Sequence, residues 1–269
     1  RVAGFGYNNR EFIEAYEDAF GDAFIRASGG RYNYDVWIQD EFEFGYATAP
    51  DAHLDVIFDT HRNGQGEPGD GLDDFPEDEY EGPDWLITNW GPRNVYSLDY
   101  GGNFEISPPV TVDGVHYPYG RVYYGGIASY QPLAATQQAV ERMQVQKPFM
   151  PDSTWLCVGH IDEFTTTIPD PSSPKGFRFV IADTDAAWEI LDALDPMMGI
   201  PQYSGGAFEG HYMDTIEDMV SDAGLRYLNE EIQETLDEQK ALFMRELGLV
   251  EEDIIYMPSL FEEVSGCGG

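Results

Sequence analysis

Hydrophobic and polar positions follow two different periods along this chain, and the changes between them predict a mixed series of helices and strands. The helical period extends over residues 9–28 and ends at Gly29 and Gly30. The same period predicts further helices at 133–146, 184–193, 208–222 and 225–247. Alternating or continuous apolar runs predict strands at 34–47, 54–59, 85–90, 104–106, 110–117, 121–126, 154–158, 161–167, 177–182 and 253–257. This order is typical of the α/β class, although the spacing does not distinguish an open sheet from a barrel or a propeller.

Residues 61–84 interrupt the series with a stretch that is dense in Gly, Pro, Asp and Glu. We predict a long loop here, and long loops inside compact domains are often functional. The acidic part, residues 65–74, is interpreted either as a solvated linker or as a feature that favours basic substrates.

The segment Trp37–Tyr46, with the sequence WIQDEFEFGY, places several carboxylates in a run with strand character. Alternate side chains of a strand share a face. Asp40 is therefore predicted opposite Gln39, Glu41 and Glu43. This sorting indicates two roles for one strand, with an acid facing one pocket and oxygen ligands facing another.

A second segment, Gly159–Phe164, has the sequence GHIDEF, and strand geometry would point His160 and Asp162 the same way. Two carboxylates and a histidine suit chemistry on a guanidinium group. Each carboxylate accepts paired N–H bonds from the planar cation, and the histidine transfers protons to the departing nitrogen. The natural nucleophile for attack on the central carbon is a cysteine thiolate.

These two segments resemble the signature blocks of the calcium-dependent protein-arginine deiminases. The resemblance is collinear from about residue 37 to 264, which makes it far more specific than a single motif. It continues through Ile57–Asn63, Gly82–Asp84, Gly102–Val110, Lys175–Arg178, Arg245–Leu249 and Asp253–Ile255.

The resemblance implies roles for individual residues. Asp40 and Asp162 are similar to the two carboxylates that grip the guanidinium, and His160 to the general acid and base. Trp37 is similar to the aromatic wall along the arginine stem, and Arg62 to a residue that contacts substrate. A basic residue that often follows in the family is replaced here by glycine, so recognition of the peptide backbone is expected to differ.

The resemblance also implies two calcium sites built from oxygen donors. The first would comprise Gln39, Glu43, Glu105 and the carbonyls of Gly101 and Phe104. The second would comprise Glu41, Asp59, Asn63 and the carbonyl of Thr60. Calcium takes six to eight oxygens from carboxylates, amides and carbonyls, and these positions supply such a set.

The nucleophile is the main departure from the family pattern. The family's cysteine lies well beyond the segment that corresponds to Ser259–Phe261. This chain has two cysteines. Cys157 lies in an apolar run that indicates a buried strand, where a free cysteine is usually a small core residue. Cys267 follows Ser265–Gly266 in a flexible chain end, which would not preorganise a nucleophile. Pairing of the two cysteines with each other, or of Cys267 with a cysteine on another segment, remains open.

The fold implied by the resemblance is a pentein-type α/β propeller of ββαβ modules around a pseudo-fivefold axis. Residues 1–269 would form part of that catalytic domain, with the final, cysteine-bearing module missing. A propeller that lacks one module exposes strand edges and core surface. We therefore expect a companion C-terminal fragment to associate with this chain. A homodimer is a further expectation.

Charge narrows the choice of partners. The chain carries 50 Asp and Glu against 14 Lys and Arg, which gives a net charge of −36. Such a field repels nucleic acid and anionic membranes and attracts calcium and arginine-rich peptides. No apolar run approaches the length of a membrane span. We expect secretion, with the cytosol of a high-salt organism as the alternative.

Three functions are consistent with the sequence. The favoured one is hydrolysis of peptidyl arginine to peptidyl citrulline with release of ammonia. The second is a deiminase or dihydrolase that acts on free arginine or a small guanidine. The third is a non-catalytic, acidic calcium-binding module.

Overall fold

The computed structural model describes residues 10–21, 24–26, 30–32, 35, 37–60, 62, 71–88, 97–143, 147–200 and 215–263. The chain divides into two compact units. The first comprises Arg1–Phe104 and Ala128–Met143, and the second comprises Glu105–Ile127 and Gln144–Gly269. Both helices and short strands are present, as the α/β prediction requires.

The first unit contains a three-stranded sheet. Strand β1 (Phe42–Ala49) runs antiparallel to β2 (Ala52–Asp59), and β3 (Trp85–Thr88) runs parallel to β2. The turn between β1 and β2 places Asp51 at φ 64°, a conformation that Asp tolerates better than most residues. In this register Phe42 faces Asp59 across the two strands. The end of β2 therefore lies beside the start of β1.

Helix α1 (Arg10–Phe20) is shorter than the 9–28 prediction, and α2 (Ile38–Glu41) replaces the first half of the strand predicted at 34–47. The alternation argument therefore fails for residues 39–41, because side chains on a helical turn are not sorted onto two faces. Strand geometry holds from Phe42 onward.

The loop predicted at 61–84 is also partly wrong. Its described portion contains a 3₁₀ helix at Gly71–Asp74 and helix α3 (Phe75–Tyr80). Pro76 lies in the first turn of α3, where proline fits a helix without losing a hydrogen bond. Phe75 packs with Tyr32 and Leu72 in a small core that Phe42 and Tyr80 also contact. Burial of these aromatic side chains therefore favours helical structure here, although the segment is rich in residues that are typical of loops.

Helix α4 (Ala134–Arg142) completes the described part of the first unit. Its N-terminus is stabilised by the fully buried carboxylate of Asp99, which accepts hydrogen bonds from the Leu133 amide at 3.0 Å and the Thr136 hydroxyl at 2.6 Å. A carboxylate at this end of a helix satisfies otherwise unpaired amide groups.

The second unit contains another three-stranded sheet. Strand β8 (Thr165–Pro169) is antiparallel to β9 (Phe177–Asp183), and β10 (Ile254–Pro258) is parallel to β9. Short strands β4 (Phe104–Ile106) and β7 (Val122–Tyr124), together with the hairpin of β5 (Val110–Val112) and β6 (Val115–Tyr117), complete the strand inventory of the described residues. Among these residues no sheet is closed.

In the described part of the chain between β9 and β10 there are three α-helices. They are α5 (Thr184–Ala193), α6 (Ile216–Val220) and α7 (Ala223–Leu247). Helix α5 begins where predicted because Asp183 accepts a hydrogen bond from the Ala186 amide at 2.6 Å. The prediction at 208–222 falls partly outside the described residues. No helix in the described part of the chain is long and apolar enough to cross a membrane.

The core of the second unit lies between α7 and β9, where Phe243 and Leu247 pack with Phe179 and Ile161. At the other end of α7, buried Asn229 donates to the Phe261 carbonyl at 3.0 Å and accepts from the Phe261 amide at 2.8 Å. One side chain thus satisfies both main-chain groups of a residue that lies beyond the last strand.

Candidate functional site

Asp40 lies on the last turn of α2 and is 9% exposed. Thr60 stabilises helix α2 through two hydrogen bonds. Its hydroxyl donates to the Asp40 carbonyl at 2.6 Å, and its amide donates to the Glu41 carbonyl at 2.9 Å. On another side Gly101 lies so close that it admits no side chain, because its β-carbon would meet the carbonyl oxygen of Gln39. Asp40 is therefore fixed by its neighbours rather than by helix propensity, which is weak for four residues.

Glu41 is fully buried next to Asp40 and forms an ion pair with Arg62. Arg62 Nη1 donates to Glu41 Oε2 at 2.7 Å, and Nη2 donates to Asp35 Oδ2 at 2.8 Å. Burial raises the pKa of the Glu41 carboxyl to about 8, Arg62 acts in the opposite direction, and the negative charges of Asp73 and Asp35 raise it further. The ion pair with Arg62 therefore offsets only part of the cost of burying the Glu41 carboxylate.

Trp37 immediately precedes α2, and its side chain is 60% exposed. Its amide donates to Asp35 Oδ1 at 2.9 Å, which fixes the main chain while the indole faces solvent. The structure therefore leaves the indole of Trp37 accessible, and its role as an aromatic wall stays a prediction.

The first unit also contains most of the predicted calcium donors. Described donors in this unit are Gln39, Glu41, Glu43, Asp59, Thr60, Gly101 and Phe104. Asn63 lies outside the described residues. Glu41, Asp59 and Thr60 are buried at the junction of α2 and β2.

Two observations test whether these donors fit calcium. In the described part of the chain, no group of three His, Cys, Asp or Glu side chains is arranged to hold a metal ion. However, Glu41 Oε1 is buried and has no hydrogen-bond partner, which is costly for a carboxylate oxygen. All the donors are oxygens, which hard cations prefer. The residues therefore fit calcium chemically, although their carboxylates do not form a finished cage.

His160 and Asp162 lie in the second unit. His160 is extended and 3% exposed, and it precedes a 3₁₀ turn at Ile161–Glu163. Its amide donates to Glu163 Oε1 at 2.8 Å, as in a helix capping box. Asp162 therefore lies on a 3₁₀ turn, and the strand predicted at 161–167 begins only at Thr165. The strand-based reason for grouping His160 with Asp162 is wrong.

The turn that carries Asp162 is anchored in the core. Ile161 and Phe164 on either side of it are fully buried, and the Thr165 hydroxyl donates to the Ile161 carbonyl at 2.9 Å. The Ser153 hydroxyl donates to the carbonyl of Gly159, which adopts φ 84° just before His160. The apolar residues of the GHIDEF segment therefore act as anchors for its polar ones.

Glu105 lies close to Asp162 within the second unit. Burial raises the pKa of Glu105 to about 7, and the negative charge of Asp162 acts in the same direction. A predicted calcium ligand and a predicted guanidinium ligand thus influence each other electrostatically. The sequence assigned these two residues to separate sites and did not predict this coupling.

Cys157 differs from its prediction. Residues 154–158 form turns rather than a buried strand, and Cys157 is exposed and disulfide-bonded. The indole of Trp155 donates to the Asp152 carbonyl at 3.1 Å, and this contact supports the turn. Cys267 lies outside the described residues. A cysteine in a disulfide has no thiolate, so Cys157 in this form is not a nucleophile.

Three buried or half-buried acids were not predicted to take part in either site. Asp35 and Asp73 act on Glu41, and Asp99 supports α4. Asp35 lies two residues before Trp37, and Asp73 lies just before the Phe75–Pro76 helix start. Acidic residues are common around both positions, so the sequence does not distinguish these two from their neighbours.

Each of the two units thus consists of short strands and helices, and the candidate residues Asp40, Glu41 and Asp162 lie on short helical turns. The chain belongs to the protein-arginine deiminase family, whose sequence model matches residues 7–267. It is 38% identical to human protein-arginine deiminase type-4 over 240 residues, which is 85% of this chain and 34% of that protein. Identity to the human type-1 protein is 38% over 235 residues, covering 84% of this chain and 34% of the relative. Identity to the rat type-3 protein is 34% over 273 residues, covering 95% of this chain and 39% of the relative. The chain spans about a third of the length of these curated relatives.

Proposed function

We propose that this chain provides the guanidinium-binding part of a calcium-dependent protein-arginine deiminase, which converts peptidyl arginine to peptidyl citrulline and ammonia. The observation that carries the proposal is the family match across residues 7–267. Asp40, His160 and Asp162 all lie on turns fixed by buried neighbours, which supports their proposed roles. Such fixation is what a preorganised site requires.

In the proposed reaction, Asp40 and Asp162 accept N–H bonds from the guanidinium and hold its plane. A cysteine thiolate attacks the central carbon and forms a C–S bond. His160 donates a proton to the departing nitrogen, and the C–N bond breaks to release ammonia. His160 then takes a proton from water, whose oxygen attacks the same carbon. The C–S bond breaks and restores the thiolate, the hydroxyl proton passes to solvent, and citrulline remains.

We further propose that the thiolate comes from a companion C-terminal segment that completes a pentein-type propeller. The disulfide at Cys157 supports this assignment, because it removes one of the chain's two cysteines as a nucleophile. The extent of the match, about a third of each relative, is consistent with a larger catalytic protein.

Calcium is proposed to be held by the oxygen donors of both predicted sets. Glu41, Asp59, Thr60 and Asn63 would form one set, and Gln39, Glu43, Glu105, Gly101 and Phe104 the other. The bound ion would neutralise buried carboxylates and order the segment that bears Asp40. The unpartnered oxygen of Glu41 supports this proposal.

The proposed substrate is an arginine side chain in a peptide or protein. Trp37 offers an exposed aromatic surface beside Asp40, and the net charge of −36 favours basic segments. Secretion and homodimer formation are proposals that rest on composition and the family resemblance.

Citrulline formation from an N-blocked arginine ester and from free arginine, with calcium or with chelator, tests the function. We expect calcium-dependent turnover of the blocked substrate by protein that includes the companion segment. Turnover of free arginine without calcium would instead favour the small-guanidine alternative. Intact mass and denaturing electrophoresis establish whether one polypeptide or two are present.

Three substitutions refine this test. His160→Asn and Asp162→Asn should each lower kcat/KM by at least about 100-fold, because they remove proton transfer and a guanidinium contact. His116→Asn is the matched control, since His116 lies exposed on β6 and should retain full activity. Calcium binding without turnover in protein shown to contain the companion segment would support a non-catalytic calcium-binding module.

A further inference from the structure

The first unit contains a cavity formed by helix α3, strand β3 and the short link between them. Its volume is about 550 Å³, and it is lined by Glu77, Glu81, Gly82, Trp85, Ile87 and Thr88. A concave space of this size is typical of ligand sites in proteins. None of its lining residues belongs to the candidate sets for guanidinium or calcium. We refer to it as the α3–β3 cavity.

One part of the cavity wall is acidic. Glu77 and Glu81 are four residues apart at the end of α3, a spacing that places two side chains on the same side of a helix. Both residues are exposed, and within the described part of the chain neither forms an ion pair. The other two acids of α3, Asp78 and Glu79, lie beside the guanidinium of Arg31 instead. The helix thus turns two of its carboxylates toward the cavity.

Strand β3 supplies an apolar part of the wall. Trp85 and Ile87 share one face of the strand, because alternate residues of a strand point the same way. The ring centre of Trp85 lies 5.0 Å from that of Tyr80 and 5.8 Å from that of Phe44, and these two rings are 5.6 Å apart. Aromatic rings at such distances attract one another. The indole therefore presents a firmly held surface to the cavity.

The acidic groups around the cavity repel one another. Partial burial raises the pKa of the Glu77 carboxyl, and a main-chain hydrogen bond acts in the opposite direction. The negative charges of Asp74, Glu81 and Asp78 raise the pKa of Glu77 further. A cation held in the cavity would relieve this repulsion.

We propose that the α3–β3 cavity binds an arginine side chain of a basic polypeptide. A guanidinium is planar, so it stacks on the indole of Trp85 while its N–H groups donate to the carboxylates of Glu77 and Glu81. Its apolar stem packs against Ile87. A lysine ammonium is compact and more strongly hydrated, and it has no plane to stack, so it binds more weakly.

The α-carboxylate of the ligand distinguishes a polypeptide from free arginine. Inside a polypeptide the α-carboxyl is part of a neutral peptide bond, whereas free arginine brings a negative charge that the two glutamates repel. The inference goes beyond the proposed function, because it requires neither calcium nor turnover.

Nuclear magnetic resonance of the full chain with nitrogen-15-labelled tryptophan tests the proposal. The chain has five tryptophans, and Trp85→Phe assigns the indole signal of Trp85. We expect N-acetyl-arginine amide, added in the presence of a chelator, to shift this signal in a saturable way. The neutral N-acetyl-citrulline amide, which has almost the same shape, should leave it unchanged. Trp188 is the internal control, because it is 6% exposed in the second unit and its signal should not move.

Two double substitutions separate a specific site from general attraction to an acidic protein. Glu77→Gln with Glu81→Gln should raise the Kd reported by the Trp85 signal about fivefold. Glu11→Gln with Asp18→Asn is the matched control, since it removes the same charge from exposed positions of α1. Its Kd should stay within about twofold of the wild type. All four positions are exposed, and circular dichroism confirms folding of each variant.

The outcomes also separate this inference from the proposed function. A shift of the Trp37 signal without a shift of Trp85 would overturn the cavity site and leave the proposed guanidinium site standing. Equal weakening in both double variants would reduce the binding to net charge and overturn the cavity site. Equal Kd values for N-acetyl-arginine amide and N-acetyl-lysine amide would overturn the assignment to arginine, as tighter binding of free arginine would overturn the assignment to a polypeptide.

Discussion

A β-carbon on Gly101 would lie 2.4 Å from the carbonyl oxygen of Gln39, far inside normal contact distance. Gly101 thus packs main chain against main chain at the start of the segment that carries Asp40. Gly101→Ala should displace this segment and lower the free energy of unfolding by about 1–3 kcal/mol, as overpacking does elsewhere. Urea unfolding followed by circular dichroism measures the change.

Gly82→Ala is the control for that substitution. The nearest atom to its β-carbon would be the Tyr80 carbonyl at 3.8 Å, an ordinary contact. Its effect should stay within about 0.5 kcal/mol. Equal effects of the two substitutions would contradict the close packing at Gly101.

Arg121 should be a major source of stability in the second unit. Its guanidinium is 2% exposed, donates to the Lys147 carbonyl at 2.8 Å and to Glu246 Oε2 at 2.9 Å, and stacks 4.8 Å from the Phe149 ring centre. Arg121→Met leaves these acceptors without their donor. We expect a loss of about 3 kcal/mol in urea unfolding.

The chain offers a matched control on the same carboxylate. Arg245 donates to Glu246 Oε1 at 3.2 Å, but its side chain is 66% exposed. Arg245→Met should cost less than about 1 kcal/mol because solvent screens the pair. If both substitutions cost the same, burial does not determine the contribution of Arg121.

Asp99 should determine whether α4 forms. Asp99→Ala would leave the Leu133 amide and the Thr136 hydroxyl without their shared acceptor in a buried site. We expect a cost of about 3 kcal/mol, measured by thermal and urea unfolding. Thr136→Val removes one of these bonds and should cost about half as much. Gln138→Ala, at an exposed position of the same helix, should have little effect.

Stability at acid pH should depend on Asp170. The Ser172 hydroxyl, Arg178 and the Ser172 amide together lower the pKa of Asp170 to about 2. A carboxyl with a lowered pKa stabilises the fold above its unfolded-state pKa of about 4, and this contribution is lost as pH falls through 2. The difference in Tm between wild type and Asp170→Asn should therefore shrink from pH 5 to pH 2. A constant difference would mean that ionisation of Asp170 is not the cause.

The local sequence determines some elements almost alone. Helix α5 was predicted at 184–193 and spans those residues, because Asp183 supplies an N-cap just where the strand pattern of β9 stops. Helix α7 was predicted from its apolar period with similar success. In both elements the neighbours along the chain and the tertiary contacts favour the same conformation.

Helix α2 shows why other elements could not be predicted. Its four residues are too few to display a period, and an alternating pattern continues directly into β1. The helical turn depends on hydrogen bonds from Thr60, which is distant in sequence. Asp40 was nevertheless identified as a candidate, because the family resemblance does not depend on secondary structure.

The surroundings of the candidate residues were the least predictable part of the site. Asp35 and Asp73 are two acids among 50, and composition alone does not distinguish a buried acid from a solvated one. Asp35 and Asp73 matter because they lie near Glu41 and raise the pKa of its carboxyl. Likewise, the influence of Asp162 on Glu105 arises from the fold and not from sequence spacing.

The two hydrogen bonds between Asn229 and Phe261 join a helix to a residue that lies beyond the last strand. Helix α7 has 25 residues and is therefore about 37 Å long, and Asn229 lies near its N-terminal end. The main chain of Phe261 is thus held at a fixed point beside this end of α7. Asn229 therefore acts as a tether between α7 and the chain beyond β10, although it is remote in sequence from every proposed catalytic residue.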